Sequence, residues 1–214
     1  QSKSIGNKQL NESNLSTVWK NPLFKSLVPM GFFSYGGLFA IQTLWAGPWM
    51  IRVSGYTPEE SAQGLFIIYL CMLISFLVWG YFVPKFSKNV NDAIRLLKIG
   101  APLNLFVLML IIYLGPKAGS IHFAIFIVSS IFLSLTQPAV GMAFSISNAG
   151  KALTSFNLLI FIGAFFIQWI IGLIIDAGIS FNLSEIDSFK LAMIFVFITS
   201  LFSYLFFLRK AKIN

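Results

Sequence analysis

An all-α polytopic membrane protein of six transmembrane helices is the fold class this sequence predicts, and three observations predict it. Charge is scarce, with 15 Lys and Arg and 7 Asp and Glu among 214 residues. It is also placed so that six charge-free runs remain, at 26–51, 61–84, 99–116, 118–150, 152–175 and 191–208. Each run reaches the length of about 18 residues that a helix needs to cross roughly 30 Å of hydrocarbon. Finally, the basic residues are sorted. With the first span entering from the cytoplasm, Lys3, Lys8, Lys20, Lys25, Lys85, Lys88, Arg95, Lys98, Lys151, Arg209, Lys210 and Lys212 share one side. Only Arg52, Lys117 and Lys190 fall on the other, with five of the 7 acids: Glu59, Glu60, Asp176, Glu185 and Asp187. This positive-inside asymmetry predicts that both termini are cytoplasmic.

The same facts exclude other classes. A soluble helical protein can bury one or two wholly apolar helices, but six in 214 residues leave too little polar surface to cover them. A membrane β-barrel alternates lipid-facing and lumen-facing residues, whereas 65–70 and 121–131 are apolar on every side. The net charge of +8 is divided by the membrane, so it reports orientation and no nucleic-acid partner is expected. Cys71 lies inside the second span, which leaves no disulfide framework and no metal-ligand pair.

The order of elements follows. Residues 1–16 are rich in Ser, Asn, Gln and Lys, contain no apolar core of a signal peptide, and predict a cytoplasmic linker. Gln1 stands where an initiating Met would, so the native start is expected upstream. Residues 17–26 mix Trp19 with lysines and predict an interfacial lead-in, in which Asn21 caps and Pro22 starts a helix. A six-helix domain is expected over 27–208, with spans at about 27–50, 61–83, 98–114, 120–146, 152–176 and 189–208. Residues 209–214 form a basic cytoplasmic tail.

Span 1 carries Gly36, Ala40, Thr43 and Gly47 at helical spacing, a small-residue face for close approach, and Tyr35, Gln42, Trp45 and Trp49 opposite. Thr57, Pro58 and Glu60 spell a capping box ahead of span 2, whose Ser61, Gly64, Cys71 and Ser75 fall on one stripe. Span 3 is featureless apart from Pro102 and Asn104. In span 4 the spacing of Ser130, Ser134, Gln137 and Gly141 places them on one α-helical face, and Pro138 frees backbone carbonyls beside Gln137. Span 5 aligns Asn157, Phe161, Ala164 and Gln168, while span 6 has only Thr199, Ser200 and Ser203 as small polar residues.

Three stretches, in spans 1 and 5, then carry a resemblance. Residues 42–49, Gln-Thr-Leu-Trp-Ala-Gly-Pro-Trp, together with 152–157 and 163–169, resemble the seventh and eleventh helices of bacterial major facilitator superfamily transporters. That family's loop signature between the second and third helices of each half is matched at Gly80, Lys85 and Lys88. The sequence departs from it at Pro84 and Ser87. The resemblance implies a twelve-helix transporter in which this chain is the carboxy-terminal six-helix half, partnered by a missing amino-terminal half. It implies secondary active transport of a small solute by alternating access, in the bacterial inner membrane, with spans 1, 2, 4 and 5 lining the cavity. A complete six-helix permease or substrate-binding membrane component, working as a dimer or with other subunits, is the alternative.

The candidate cavity residues are Gln42, Gln137, Asn157 and Gln168, whose amides can hydrogen-bond a solute, followed by Tyr35 and Trp45. The competing reading is that these amides tie neighbouring helices together, and that Tyr35 and Trp45 are packing residues. No catalytic role, cofactor or metal is expected. The one histidine, His122, lies at an outer end and no span carries two acids near its centre, so acid–base chemistry lacks its groups.

Overall fold

The structure is a computed structural model that describes residues 15–211, and the described residues form helices without a single strand. Six helices are long and apolar enough to cross a membrane: Pro22–Arg52, Pro58–Phe86, Val90–Lys117, Ser120–Met142, Ile146–Ser180 and Glu185–Lys210, spans 1 to 6 below. The protein is therefore an integral membrane protein of the expected class. A short lead-in helix, Leu15–Lys20, packs beside the start of span 5. Six crossings return Ala211 to the end where Leu15 lies, here called the terminal end, opposite the far end. Most of the linker (1–14) and the last tail residues (212–214) lie outside the described residues.

The helices outrun their apolar cores, because polar and charged turns continue the backbone ladder into the headgroup region. Span 3 begins at Val90 rather than near Lys98, capped by Asn89, whose side chain accepts from the Asp92 N–H at 3.0 Å. Span 4 is the reverse case. It stops at Met142, and Ile146, assigned to it on hydropathy, opens span 5 instead. No charge marks that turn, so a charge-based boundary runs through it. Spans 5 and 6 likewise begin earlier than expected, at Ile146 and Glu185, whereas the two expected caps hold. Asn21 Oδ1 accepts from the Phe24 N–H at 3.1 Å, and Thr57 and Glu60 exchange the two bonds of a capping box.

Packing rests on small residues, since hydrocarbon gives helices no hydrophobic reason to associate. Spans 1 and 5 meet backbone to backbone near their middles. A Cβ placed on Gly36 would lie 2.8 Å from the Gly163 carbonyl carbon, and one on Gly163 would lie 2.2 Å from the Phe32 carbonyl oxygen. Span 6 packs on spans 1, 3 and 5, and span 4 on spans 2, 3 and 5. Span 2 is the least buried, held by one stripe of Ser61, Gly64 and Ile68, with Cys71 and Ser75 continuing it half-buried.

Two expected faces are corrected. Span 1 contains wider π turns at Met30–Tyr35 and Ile41–Trp45, which rotate one part against the next. Gly36 therefore faces span 5 while Gly47 faces Leu65 and Ser61 of span 2, and Thr43 is exposed between them. Trp49, expected opposite, is fully buried, its Nε1 donating to the Ala118 carbonyl at 3.1 Å. In span 4, residues Ser130–Leu135 form a 3₁₀ segment. Ser130 and Ser134 are then about 120° apart instead of about 40°, because each 3₁₀ residue turns further than an α residue. Ser130 is buried and Ser134 half-buried, so the four-residue face does not exist.

Candidate functional site

The polar side chains at membrane depth divide into two kinds. Those of spans 3 and 6 point inward and are consumed there. Asn104 Nδ2 donates to the Phe126 carbonyl at 2.9 Å and to Ser129 Oγ at 3.0 Å. The Ser34 and Ser203 hydroxyls meet at 2.7 Å. These bonds hold helices together and leave nothing at the surface.

The amides of spans 1, 4 and 5 sit half-buried or at the edge of burial, in two levels. At the level nearer the far end, the π turn Ile41–Trp45 brings Gln42, Thr43 and Trp45 beside spans 2 and 5. Gln42 Nε2 donates to Met72 Sδ at 3.1 Å, and the Tyr69 hydroxyl donates to the Gln42 main-chain carbonyl at 2.8 Å. Gln168 Nε2 donates to Thr43 Oγ1 at 2.8 Å, while Thr43 Oγ1 donates to the Phe39 carbonyl at 2.7 Å. Trp45 Nε1 donates to the main-chain carbonyl of Gln168 at 3.2 Å. At the level nearer the terminal end, Gln137 Nε2 donates to Asn157 Oδ1 at 2.8 Å, joining spans 4 and 5.

Asn157 and Gln168 are eleven residues apart, or about 16 Å along a helix. Aromatic rings occupy the interval. Phe161 lies 6.1 Å from Phe39, which lies 5.4 Å from Tyr35. Phe161 is exposed, Phe39 half-buried and Tyr35 buried. Trp45 and Gln168 are thus brought together, Gln42 turns instead to Met72 and Tyr69 of span 2, Gln137 and Asn157 form a separate pair, and Tyr35 packs between the levels. Asn157 and Gln168 share a stripe of span 5 as their spacing predicts. Their neighbours nevertheless differ, because span 5 meets span 4 at one depth and span 1 at the other.

Each of the four amides therefore has a partner on another helix, as the helix-tie reading requires. One bond does not exhaust an amide, which offers two N–H donors and a carbonyl. Gln137 and Gln168 each use one N–H and keep the other with the carbonyl oxygen, and Asn157 keeps its whole NH₂. Trp45 is a packing residue here, edge-on to Phe189 and bonded to backbone. Thr43, expected from sequence on a packing face, and Tyr69, not singled out there, sit beside these amides. The signal for Thr43 was Pro48, whose missing N–H unsettles the turn before it. Tyr69 gave no signal beyond its hydroxyl.

Ionisable side chains stay at the ends of the spans: Arg52, Lys85, Arg95, Lys98, Lys151 and Asp176. Arg52 pairs with Glu185 and joins the far ends of spans 1 and 6. Among the described residues no three His, Cys, Asp or Glu side chains gather where they could hold a metal ion. No protein-family model, no curated protein and no solved structure matches the chain.

Proposed function

We propose that the chain forms one wall of a solute path and works in secondary active transport. On this reading a second six-helix unit supplies the facing wall, as the resemblance to major facilitator transporters implies, and access alternates by rocking of the two. The observation that carries the reading is the sorting of polar groups. Spans 3 and 6 close their hydrogen bonds inside the bundle, whereas Gln137, Asn157 and Gln168, with Thr43, keep unspent donors and acceptors at its surface. An amide unsatisfied in hydrocarbon costs several kcal/mol, so such a face belongs against water or protein. A transporter also fits better than an enzyme, because no acid–base pair stands at that depth. The inner membrane of a bacterium, with both termini cytoplasmic, is the setting this reading implies.

Gln168→Leu tests it in the intact transporter. The substitution keeps roughly the volume and removes the hydrogen bonds. If Gln168 contacts solute, transport per folded molecule falls at least tenfold, about 1.4 kcal/mol, whatever the lost Thr43 bond does to the unfolding midpoint. A fall in the midpoint with normal transport per folded molecule would make Gln168 a helix tie and remove it from the path.

A further inference from the structure

We infer that the seam of spans 3 and 6 at the terminal end is a binding site for an anionic phospholipid. Each of the two helices carries an exposed apolar stripe on its outer face that leads to this end. On span 3, Ile99 and Leu103 lie below Arg95 at intervals of four residues. On span 6, Phe202 and Leu205 lead to Arg209 at i, i+3 and i+7. Both stripes therefore end in an exposed arginine at headgroup height, the arrangement that suits a phosphate above acyl chains.

Two hydrogen bonds hold the ends of the two helices together. Lys98 Nζ donates to the Ala211 carbonyl at 2.8 Å, and the Tyr204 hydroxyl donates to the Lys98 carbonyl at 2.8 Å. Arg95 is one turn before Lys98, and Arg209 and Lys210 immediately precede Ala211, so the two joined helix ends carry four cations. The only carboxylate at this end among the described residues is Asp92, which accepts the Lys88 N–H at 3.1 Å and pairs with none of the four. A cleft of about 630 Å³, lined in part by Val90, Met142 and Lys210, opens beside them. No carboxylate among the described residues pairs with this charge, and a guanidinium pair matches a phosphate in charge and geometry. Free phosphate would use the cations alone. A lipid uses the cations and the stripes beneath them.

The test titrates phosphatidylglycerol, phosphatidylcholine or sn-glycerol 3-phosphate into the full chain in a neutral detergent and follows the thermal unfolding midpoint. Phosphatidylglycerol is expected to raise the midpoint and phosphatidylcholine to leave it nearly unmoved. In Arg95→Gln/Arg209→Gln the phosphatidylglycerol needed for half the gain rises at least fivefold. Lys117→Gln, a charge removed at the far end, leaves it unchanged, and Arg95→Lys/Arg209→Lys restores most of the response if the double variant is merely less stable. Equal gains from the two lipids, or an undiminished gain in the Gln variant, would overturn the site. A matching gain from glycerol phosphate would show that the cations bind a soluble phosphate and that the stripes take no part.

Discussion

Gly163→Val is expected to abolish a stable fold. A Cβ at 163 would meet the Phe32 carbonyl oxygen at 2.2 Å and the Phe32 carbonyl carbon and Cα at 2.9 Å, all of them backbone. A side chain in the way can rotate aside, but a carbonyl in a helix cannot, so spans 1 and 5 must part along their whole crossing. Overpacking a core costs about 1–3 kcal/mol and more where the obstacle is rigid. The loss also opens the crossing that spaces the two amide levels. Detergent-solubilised Gly163→Val should elute as aggregate or unfold at a much lower temperature. Gly80→Ala is the control. Nothing lies within 4 Å of its would-be Cβ, and Ala is the better helix former by about 1 kcal/mol, so stability should hold or rise. Equal behaviour of the two variants would refute the close contact of spans 1 and 5.

The second large effect is all-or-none labelling. The twelve-to-three division of basic residues predicts that Lys88 faces the cytoplasm and Lys117 the opposite side. Both are exposed and neither caps a helix. In a Cys71→Ser background, Lys117→Cys should react with an impermeant thiol reagent added to intact cells, and Lys88→Cys only after the cells are opened. Two nearby serines suit this purpose less well. The Ser87 hydroxyl is buried, and Ser120 packs against Gly64, where its Cβ lies 2.9 Å from the place a side chain there would occupy. The reverse pattern of labelling would invert the orientation.

What the sequence revealed depended on whether a feature leaves a local mark. Absence of charge over some eighteen residues is such a mark, and all six spans were visible by it. So were the caps at Asn21 and Thr57, whose spacing is the motif itself. The turn at 143–145 carries no charge, and it disappeared into the longest apolar run. Faces were legible only where the helix stayed α. The stripe of span 2 was right, whereas the 3₁₀ segment at Ser130–Leu135 and the π turns of span 1 shifted the register that the spacing assumed.

Periodicity also gives a face without naming its neighbour. Nothing in the spacing of Gln137, Asn157 and Gln168 says that the first two bond each other, or that the third bonds Thr43. Those pairings depend on how far one helix slides along another, which is set by contacts such as Gly36 on Gly163 and by the wider turns of span 1. The polar character of the site was therefore legible, and its division into two levels was not.

The central claim is that the face carrying Gln137, Asn157 and Gln168 borders water while the outer face of span 3 borders lipid. Two exposed phenylalanines near the middle of their spans separate these cases. Phe161 lies on the polar face, 54% exposed, and Phe106 on the outer stripe of span 3, 56% exposed, so bulk accessibility does not distinguish them. In a Cys71→Ser background, each is replaced by Cys and the rate of modification by a charged, membrane-impermeant methanethiosulfonate is measured. The account predicts that Phe161→Cys reacts at least tenfold faster than Phe106→Cys, because a charged reagent and a thiolate both need water. Equal rates, or a Phe161→Cys that stays as silent as Phe106→Cys, would contradict it.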